Sequence, residues 1–290
     1  MPSPMRSIFS LIGSLFFAFA AQGADLKFPT DVKEWQAIAI PSEDDRSARM
    51  AWFYAANYST YEWNVFADRD RVQVKLDSTR HQSTEQRPAF DPHVGTLHGA
   101  SSFSRVGDGW LVGFNHGEWG GALYWFSSDG KQNYKVSDHQ IVRFFGLADG
   151  LYAIEGLAHM TMSEGSIIRI SRGSERLRWR ADTFTKLPFA PYAVSVRQDN
   201  TMLVTLSDAL VSIDSRGKLK TLLTNPPWIG LYPNSSVVSA DGQKLYIGMR
   251  QFVEEIDLQT TKSRLLIPSV DFLNKLPAED EQRIRSQYGS

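Results

Sequence analysis

Residues 234–247 read Asn234-Ser-Ser-Val-Val-Ser-Ala-Asp-Gly-Gln-Lys-Leu-Tyr-Ile247. The stretch is typical of a β-hairpin, because an Asp-Gly pair tolerates the positive φ of a tight turn between two strands. The same pattern occurs three more times upstream, in residues 101–114, 142–155 and 192–205, the last with an Asp-Asn turn in place of Asp-Gly. The four turn aspartates, Asp108, Asp149, Asp199 and Asp241, are spaced by 41, 50 and 42 residues. A period of this length predicts a repeat architecture.

A second pair of strands is predicted after each hairpin. The third strands fall in 122–126, 166–170, 210–213 and 253–257, and the fourth strands run near 134 and through 177–180, 218–223 and 263–267. Four short strands in a unit of about forty residues are typical of one blade of a β-propeller.

The stretch Pro233-Asn-Ser-Ser-Val-Val-Ser-Ala-Asp-Gly-Gln-Lys-Leu-Tyr246 carries a family resemblance. It resembles the blade phrase of the YVTN, NHL and gluconolactonase-like β-propellers, and the similarity covers about residues 98–268. This resemblance implies a fold more than an activity, because propellers serve many unrelated functions.

The domain organisation follows from these repeats. Residues 98–268 are expected to form four blades, 25–97 an N-terminal blade or cap, and 269–290 a C-terminal tail or short helix. Strands predicted over 35–40, 50–54, 63–66 and 71–76 supply at least one more blade. We therefore expect an all-β fold, a propeller of five four-stranded blades with a short C-terminal helix; six blades are the alternative.

The N-terminus predicts export. Arg6 precedes an apolar run over 8–21, and small residues follow it, which is the layout of a secretory signal peptide over 1–24. We expect cleavage within residues 20–24, a periplasmic or extracellular protein and no stable membrane insertion afterwards. An uncleaved signal anchor is the alternative.

Composition narrows the classes of function. The chain of 290 residues has 31 lysines and arginines against 32 aspartates and glutamates, and it has no cysteine. The charge balance argues against a nucleic-acid partner, which would need clustered positive charge. The lack of cysteine excludes disulfides and a thiol nucleophile.

Propeller topology predicts where a site would lie. The first strands of all blades begin on one face, and the loops between second and third strands open on that same face, here called the channel face. The opposite face, which carries the Asp-Gly turns, is called the turn face. The residues predicted to bind a ligand on the channel face are His116, Glu118, Trp119, Tyr192, Asn234 and Arg250. Arg250 is expected beside Glu118 or Glu155.

The loop over 114–121 is the least ordinary part of this prediction. It combines three glycines with a histidine, an acid and a tryptophan, a mixture suited to holding a polar ligand against an aromatic ring. The alternative is that Trp119 plugs the hydrophobic seam between two blades.

A metal site is a second hypothesis for the same face. The gluconolactonase-like resemblance implies calcium in the central channel, held by a carboxylate and by asparagines at first-strand starts, and Asn234 fits that position. Ser235 stands where the family usually has glycine. The candidate metal ligands are Glu155, His159 and Asn234, with no other cofactor predicted.

Two functions therefore stay open. The first is a non-catalytic exported propeller that binds a small molecule, a glycan or a partner protein at the channel face. It accounts for the absence of a Gly-x-Ser-x-Gly nucleophile motif. The second is a calcium-dependent, lactonase-like hydrolase.

Overall fold

The computed structural model describes residues 27–77, 86–160, 162–173 and 178–288. The predicted signal peptide over 1–24 lies outside these residues. Among the helices that are described, none is long and apolar enough to cross a membrane.

The N-terminal region holds three strands and one helix. These are β1 (Gln36–Ile38), α1 (Arg46–Asn57), β2 (Trp63–Asp68) and β3 (Arg71–Leu76). Strands β2 and β3 form a two-stranded antiparallel hairpin. Strand β1 pairs with a strand near the C-terminal end of the chain, as described below.

Four antiparallel sheets follow in sequence. Blade 1 contains β4 (Ser102–Val106), β5 (Gly109–Asn115), β6 (Gly121–Ser127) and β7 (Asn133–Ser137). Blade 2 contains β8 (Ile141–Leu147), β9 (Gly150–His159), β10 (Met162–Arg172) and β11 (Trp179–Leu187). Blade 3 contains β12 (Pro191–Val196), β13 (Met202–Leu206), β14 (Ala209–Ile213) and β15 (Leu219–Thr224). Blade 4 contains β16 (Ser235–Val238), β17 (Lys244–Gly248), β18 (Val253–Asp257) and β19 (Ser263–Ile267).

The blades stand side by side around a channel. First strand β4 contacts β8, β8 contacts β12, β12 contacts β16, and β16 contacts β2. The β2–β3 hairpin is thus a fifth blade beside blade 4, and the described residues confirm the predicted number of five blades. The prediction of four strands in every blade is wrong for the fifth, which has two in the described residues because residues 50–54 are helical and β1 pairs elsewhere. Strand β1 pairs with β19, so blade 4 has a fifth strand from the N-terminal region.

Hydrophobic seams between neighbouring blades form the core. Trp63 is fully buried between the hairpin and blade 4, against Tyr246, Val253 and Leu266. Further apolar seams join blades 4 and 3, blades 3 and 2, and blades 2 and 1. On blade 1, the segment around Phe90 and Leu97 covers the face turned away from blade 2.

The predicted strand over 50–54 is wrong, because these residues lie inside α1. The Asp45 carboxylate accepts a hydrogen bond from the Ala48 amide at 3.0 Å, which caps the helix, and alanines follow at 48, 51, 55 and 56. The aromatic run of Trp52 and its neighbours suggested a strand, but Trp52 instead stacks on Phe252 of blade 4, with ring centroids 5.2 Å apart.

A C-terminal helix, α2 (Ala278–Tyr288), confirms the predicted short helix. It packs against α1. Ile284 is buried, and the Arg46 guanidinium lies 5.7 Å from the Tyr288 ring centroid.

One carboxyl group is buried in the core without a matching charge. Glu254 of β18 is fully buried, and neither of its carboxylate oxygens has a hydrogen-bond partner among the described residues. It shares a strand face with Ile256, which lies in the seam between blades 3 and 4. Burial raises the pKa of Glu254 from 4.5 to about 8, and the nearby Ser263 hydroxyl acts in the opposite direction.

Replacing Glu254 by glutamine should therefore make the protein more stable at pH 8. The unfolded chain ionises Glu254 near its ordinary pKa, whereas the folded protein keeps the proton until about pH 8, so stability falls as pH rises through this window. We expect Glu254→Gln to remove a loss on the order of 3 kcal/mol. Urea unfolding at pH 5 and pH 8 measures it, with the exposed Glu164→Gln as control. Parallel losses in wild type and Glu254→Gln would contradict the assignment.

Candidate binding face

The channel face is built from loops of all four large blades and from the end of α1. Contacts between these loops place them together. Glu118 of blade 1 meets His159 of blade 2, Ser163 of blade 2 meets Ser207 of blade 3, and Arg250 of blade 4 meets Asn57 of α1. Residues far apart in sequence thus become neighbours, as the topology predicts.

The loop after β5 folds into a short 3-10 helix, Gly117–Trp119. Gly117 and Gly120 have φ of 60° and 89°, a region that favours glycine, and this sharp turn lifts Trp119 away from the blade. The His116 ring nitrogen Nε2 lies 2.6 Å from the His98 carbonyl oxygen. Trp119 is 83% exposed, so it does not plug a seam between blades.

A contact between blades lies beside this tryptophan. The Glu118 carboxylate is 2.9 Å from His159 Nε2, at the end of β9. Strands β9 and β10 form the longest hairpin described, and its tip extends past β8 and β11. At this tip Met160 is 91% exposed and Met162 is 48% exposed. The Glu118–His159 pair therefore brings two exposed apolar groups, Trp119 and the methionines, to one region.

Glu155 faces a groove on blade 2. Its Oε1 accepts a hydrogen bond from the Ser166 hydroxyl at 2.5 Å. The groove has a volume of about 590 Å³ and lies between the connection to β8 and the channel-face ends of β9, β10 and β11.

Tyr192 and Asn234 belong to a second group, at the first-strand starts of blades 3 and 4. Burial raises the pKa of the Tyr192 hydroxyl, with smaller contributions from Tyr232 and Asp208. Asn234 Oδ1 accepts a hydrogen bond from the Ser235 hydroxyl at 2.8 Å, and its Nδ2 donates to Glu62 at 3.3 Å. Arg143 of blade 2 donates to the Asn234 carbonyl oxygen at 3.2 Å, across the channel.

Arg250 anchors α1. Its guanidinium donates to the Asn57 carbonyl oxygen at 2.7 Å and to the Asn57 side chain at 3.1 Å, and it lies 4.8 Å from the Tyr232 ring centroid. The predicted contact with Glu118 or Glu155 is wrong, because those carboxylates bind His159 and Ser166 instead.

The predicted metal ligands do not gather into one donor set. Within the described ranges, no group of three or more histidine, aspartate or glutamate side chains is close enough to hold a metal ion. The oxygens of Glu155 and Asn234 accept from Ser166 and Ser235, and His159 contacts Glu118. Calcium binding stays a prediction, which metal analysis of the purified protein would check.

Sequence reasoning missed three residues of this face. Glu62 and Asn57 lie in the region treated only as a blade or cap, and Tyr232 lies in the connection between blades 3 and 4. Tyr232 could have been identified from the sequence, because it directly precedes Pro233-Asn234 at the start of a first strand.

Comparison with known proteins does not place the chain in a family. No protein-family model matches the chain, and no curated protein matches it in sequence. Among solved structures, streptogramin B lyase aligns with a TM-score of 0.41 and 14% identity, over 61% of this chain and 56% of the lyase. A gluconolactonase from Xanthomonas campestris aligns with a TM-score of 0.40 and 10% identity, over 71% of this chain and 69% of the gluconolactonase. An auxiliary nutrient-binding protein from Bacteroides ovatus aligns with a TM-score of 0.40 and 13% identity, over 59% of this chain and 40% of the nutrient-binding protein.

The class that the four-stranded sheets and the order of their contacts define is the β-propeller. The chain spans about half the length of the lyase.

The contacts of Arg250 predict a loss of stability on truncation. Arg250→Ala removes two hydrogen bonds to the end of α1 and the contact with Tyr232, which should cost on the order of 2 kcal/mol. Urea unfolding measures this, and Arg216→Ala, on an exposed turn of blade 3, is the matched control. An unchanged unfolding midpoint in Arg250→Ala would show that Arg250 is free for another role.

Proposed function

We propose that the protein is an exported binding module whose channel face receives a partner protein. One observation carries the proposal: of the eight large hydrophobic side chains exposed in the described residues, seven lie on the channel face. They are Tyr58, Trp119, Met160, Met162, Ile229, Tyr232 and Val270. The eighth, Phe66, lies within β2.

Topology places the seven on one side. Trp119, Met160 and Met162 lie in or next to loops between second and third strands. Ile229 and Tyr232 lie between the end of β15 and the start of β16, and Val270 follows β19, a fourth strand that ends on this face. Tyr58 follows the end of α1 that Arg250 binds.

The arrangement fits a protein more than a small ligand. Isolated exposed hydrophobic groups are ordinary on a protein surface, but a one-sided distribution marks an interaction surface. Tryptophan, tyrosine and methionine are also enriched in protein interfaces, where they act as anchors. The groups occur at two places, around Trp119 on blades 1 and 2 and around Tyr232 near blade 4, so a partner would have to span the channel mouth.

Polar groups between the anchors would orient the partner. The partly exposed Glu118–His159 pair lies beside Trp119, and Asp208 lies near Tyr192. Such groups at the rim contribute mainly to specificity and association rate. The lactonase-like alternative has no comparable support, because no three histidine, aspartate or glutamate side chains of the described residues lie close enough together to hold a metal ion.

A crosslinking experiment tests the channel face. A photo-crosslinking amino acid placed at position 119 should capture one protein of defined mass in the native host, whereas the same group at position 66 should not. The captured protein is then purified, and its affinity is measured with Trp119→Ala and with the exposed off-face control Phe66→Ala.

We expect Trp119→Ala to weaken this complex by at least tenfold, because buried aromatic anchors dominate interface energies. Phe66→Ala should leave the affinity unchanged. Equal capture at both positions, or full affinity in Trp119→Ala, would remove the channel face as the binding surface.

The export part of the proposal has its own test. The apolar run over 8–21 predicts a mature protein that begins near residues 21–25. Mass spectrometry of the protein recovered from its native host gives the N-terminus directly. Intact Met1 in a soluble cytoplasmic fraction would refute export and would leave the binding surface to be judged by the crosslinking result.

A further inference from the structure

A cavity of about 390 Å³ lies on the turn face, opposite the channel face. Its walls are the first turns of three neighbouring blades: the turn between β2 and β3, that between β12 and β13, and that between β16 and β17. The volume lies in the range of small-molecule sites. Tight turns on three sheets give the cavity rigid walls.

Three arginines and three aspartates line this cavity. They are Arg69, Arg71 and Arg197, with Asp70, Asp199 and Asp241. The formal charges cancel. Whether the cavity attracts an anion or a cation therefore depends on which of these side chains already have hydrogen-bond or ion-pair partners.

Two of the carboxylates are engaged within their own turns. Asp199 Oδ1 accepts from the Thr201 amide at 2.9 Å, which with smaller contributions holds its pKa below the ordinary value. Asp241 Oδ1 accepts from the Ser239 hydroxyl and the Gln243 amide, and these bonds likewise lower the pKa of Asp241. These two acids are ionised at neutral pH, and each has an oxygen bound to its own turn.

The arginines have fewer partners. Neither Arg69 nor Arg197 makes a side-chain hydrogen bond or an ion pair within the described residues, and Arg71 lies 3.8 Å from Asp31. Arg69 and Arg197 belong to the hairpin and to blade 3, the two blades that flank blade 4. The cavity therefore has, on two of its sides, arginines without a hydrogen-bonded side-chain partner, although the charge of Arg197 contributes to the lowered pKa of Asp199.

We propose that this cavity binds a small organic anion with at least two acidic groups, one held by Arg69 and the other by Arg197. A guanidinium group binds a carboxylate or a phosphate through two parallel hydrogen bonds, so two arginines on separate blades select a ligand with two acidic groups. Asp70, which has no side-chain partner among the described residues, opposes this binding. The site is independent of the channel face and of its partner.

Citrate is the probe for the first experiment, by isothermal titration calorimetry on the mature protein at low salt. Arg69→Gln and Arg197→Gln should each weaken citrate binding by about tenfold, since each removes one charge-assisted contact. Arg216→Gln, on the neighbouring turn between β14 and β15, lies outside the cavity and should bind as wild type does. Asp70→Asn should bind citrate more tightly, a gain that a damaged fold would not produce.

Two further probes test whether binding depends on charge and on the number of acidic groups in the ligand. Glucose, which is neutral, should not bind. Inorganic phosphate, which has a single acidic group, should bind more weakly than citrate. Equal citrate affinity in wild type and both arginine variants would overturn the proposal, as would phosphate binding as tight as citrate binding or the lack of any citrate binding.

Discussion

The ring depends on contacts between the N-terminal region and the last blade. Strand β1 pairs with β19, from Gln36 opposite Ile267 to Ile38 opposite Leu265. Trp63 is buried in the same region, and its indole nitrogen donates to the Gln251 carbonyl oxygen at 3.0 Å. Because these partners are nearly two hundred or more residues apart, the hairpin and blade 4 can pack only after most of the chain has been placed. The contacts of Glu62 with Asn234 and of Asn57 with Arg250 on the channel face depend on this packing.

The sequence predicted the parts of the fold that local chemistry determines. An Asp-Gly turn between two β-rich segments needs only its own residues, so the repeats at 108, 149, 199 and 241 identify blades without knowledge of their neighbours. The strand predicted over residues 50–54 is wrong for the opposite reason. Its aromatic residues favour a strand locally, whereas the Asp45 cap and packing on Phe252 make it helical.

The channel face was predicted as a location but not as a set of contacts. Topology alone brings its loops together, which is why Glu118 and His159 were correctly assigned to one face. The partners of Arg250 and Asn234 could not be predicted, because Asn57 and Glu62 are 193 and 172 residues away in sequence. The exposure of Trp119 depends on the backbone path through Gly117 and Gly120, which residue types do not fix.

The bond from Arg143 to the Asn234 carbonyl oxygen has a consequence for how the blades are held together. Blade 2 and blade 4 are not neighbours in the ring, since the first strand of blade 3 contacts both of them. The bond at 3.2 Å nevertheless joins the first strand of blade 2 to the residue before the first strand of blade 4. The two blades are thus tied to each other directly, as well as through blade 3.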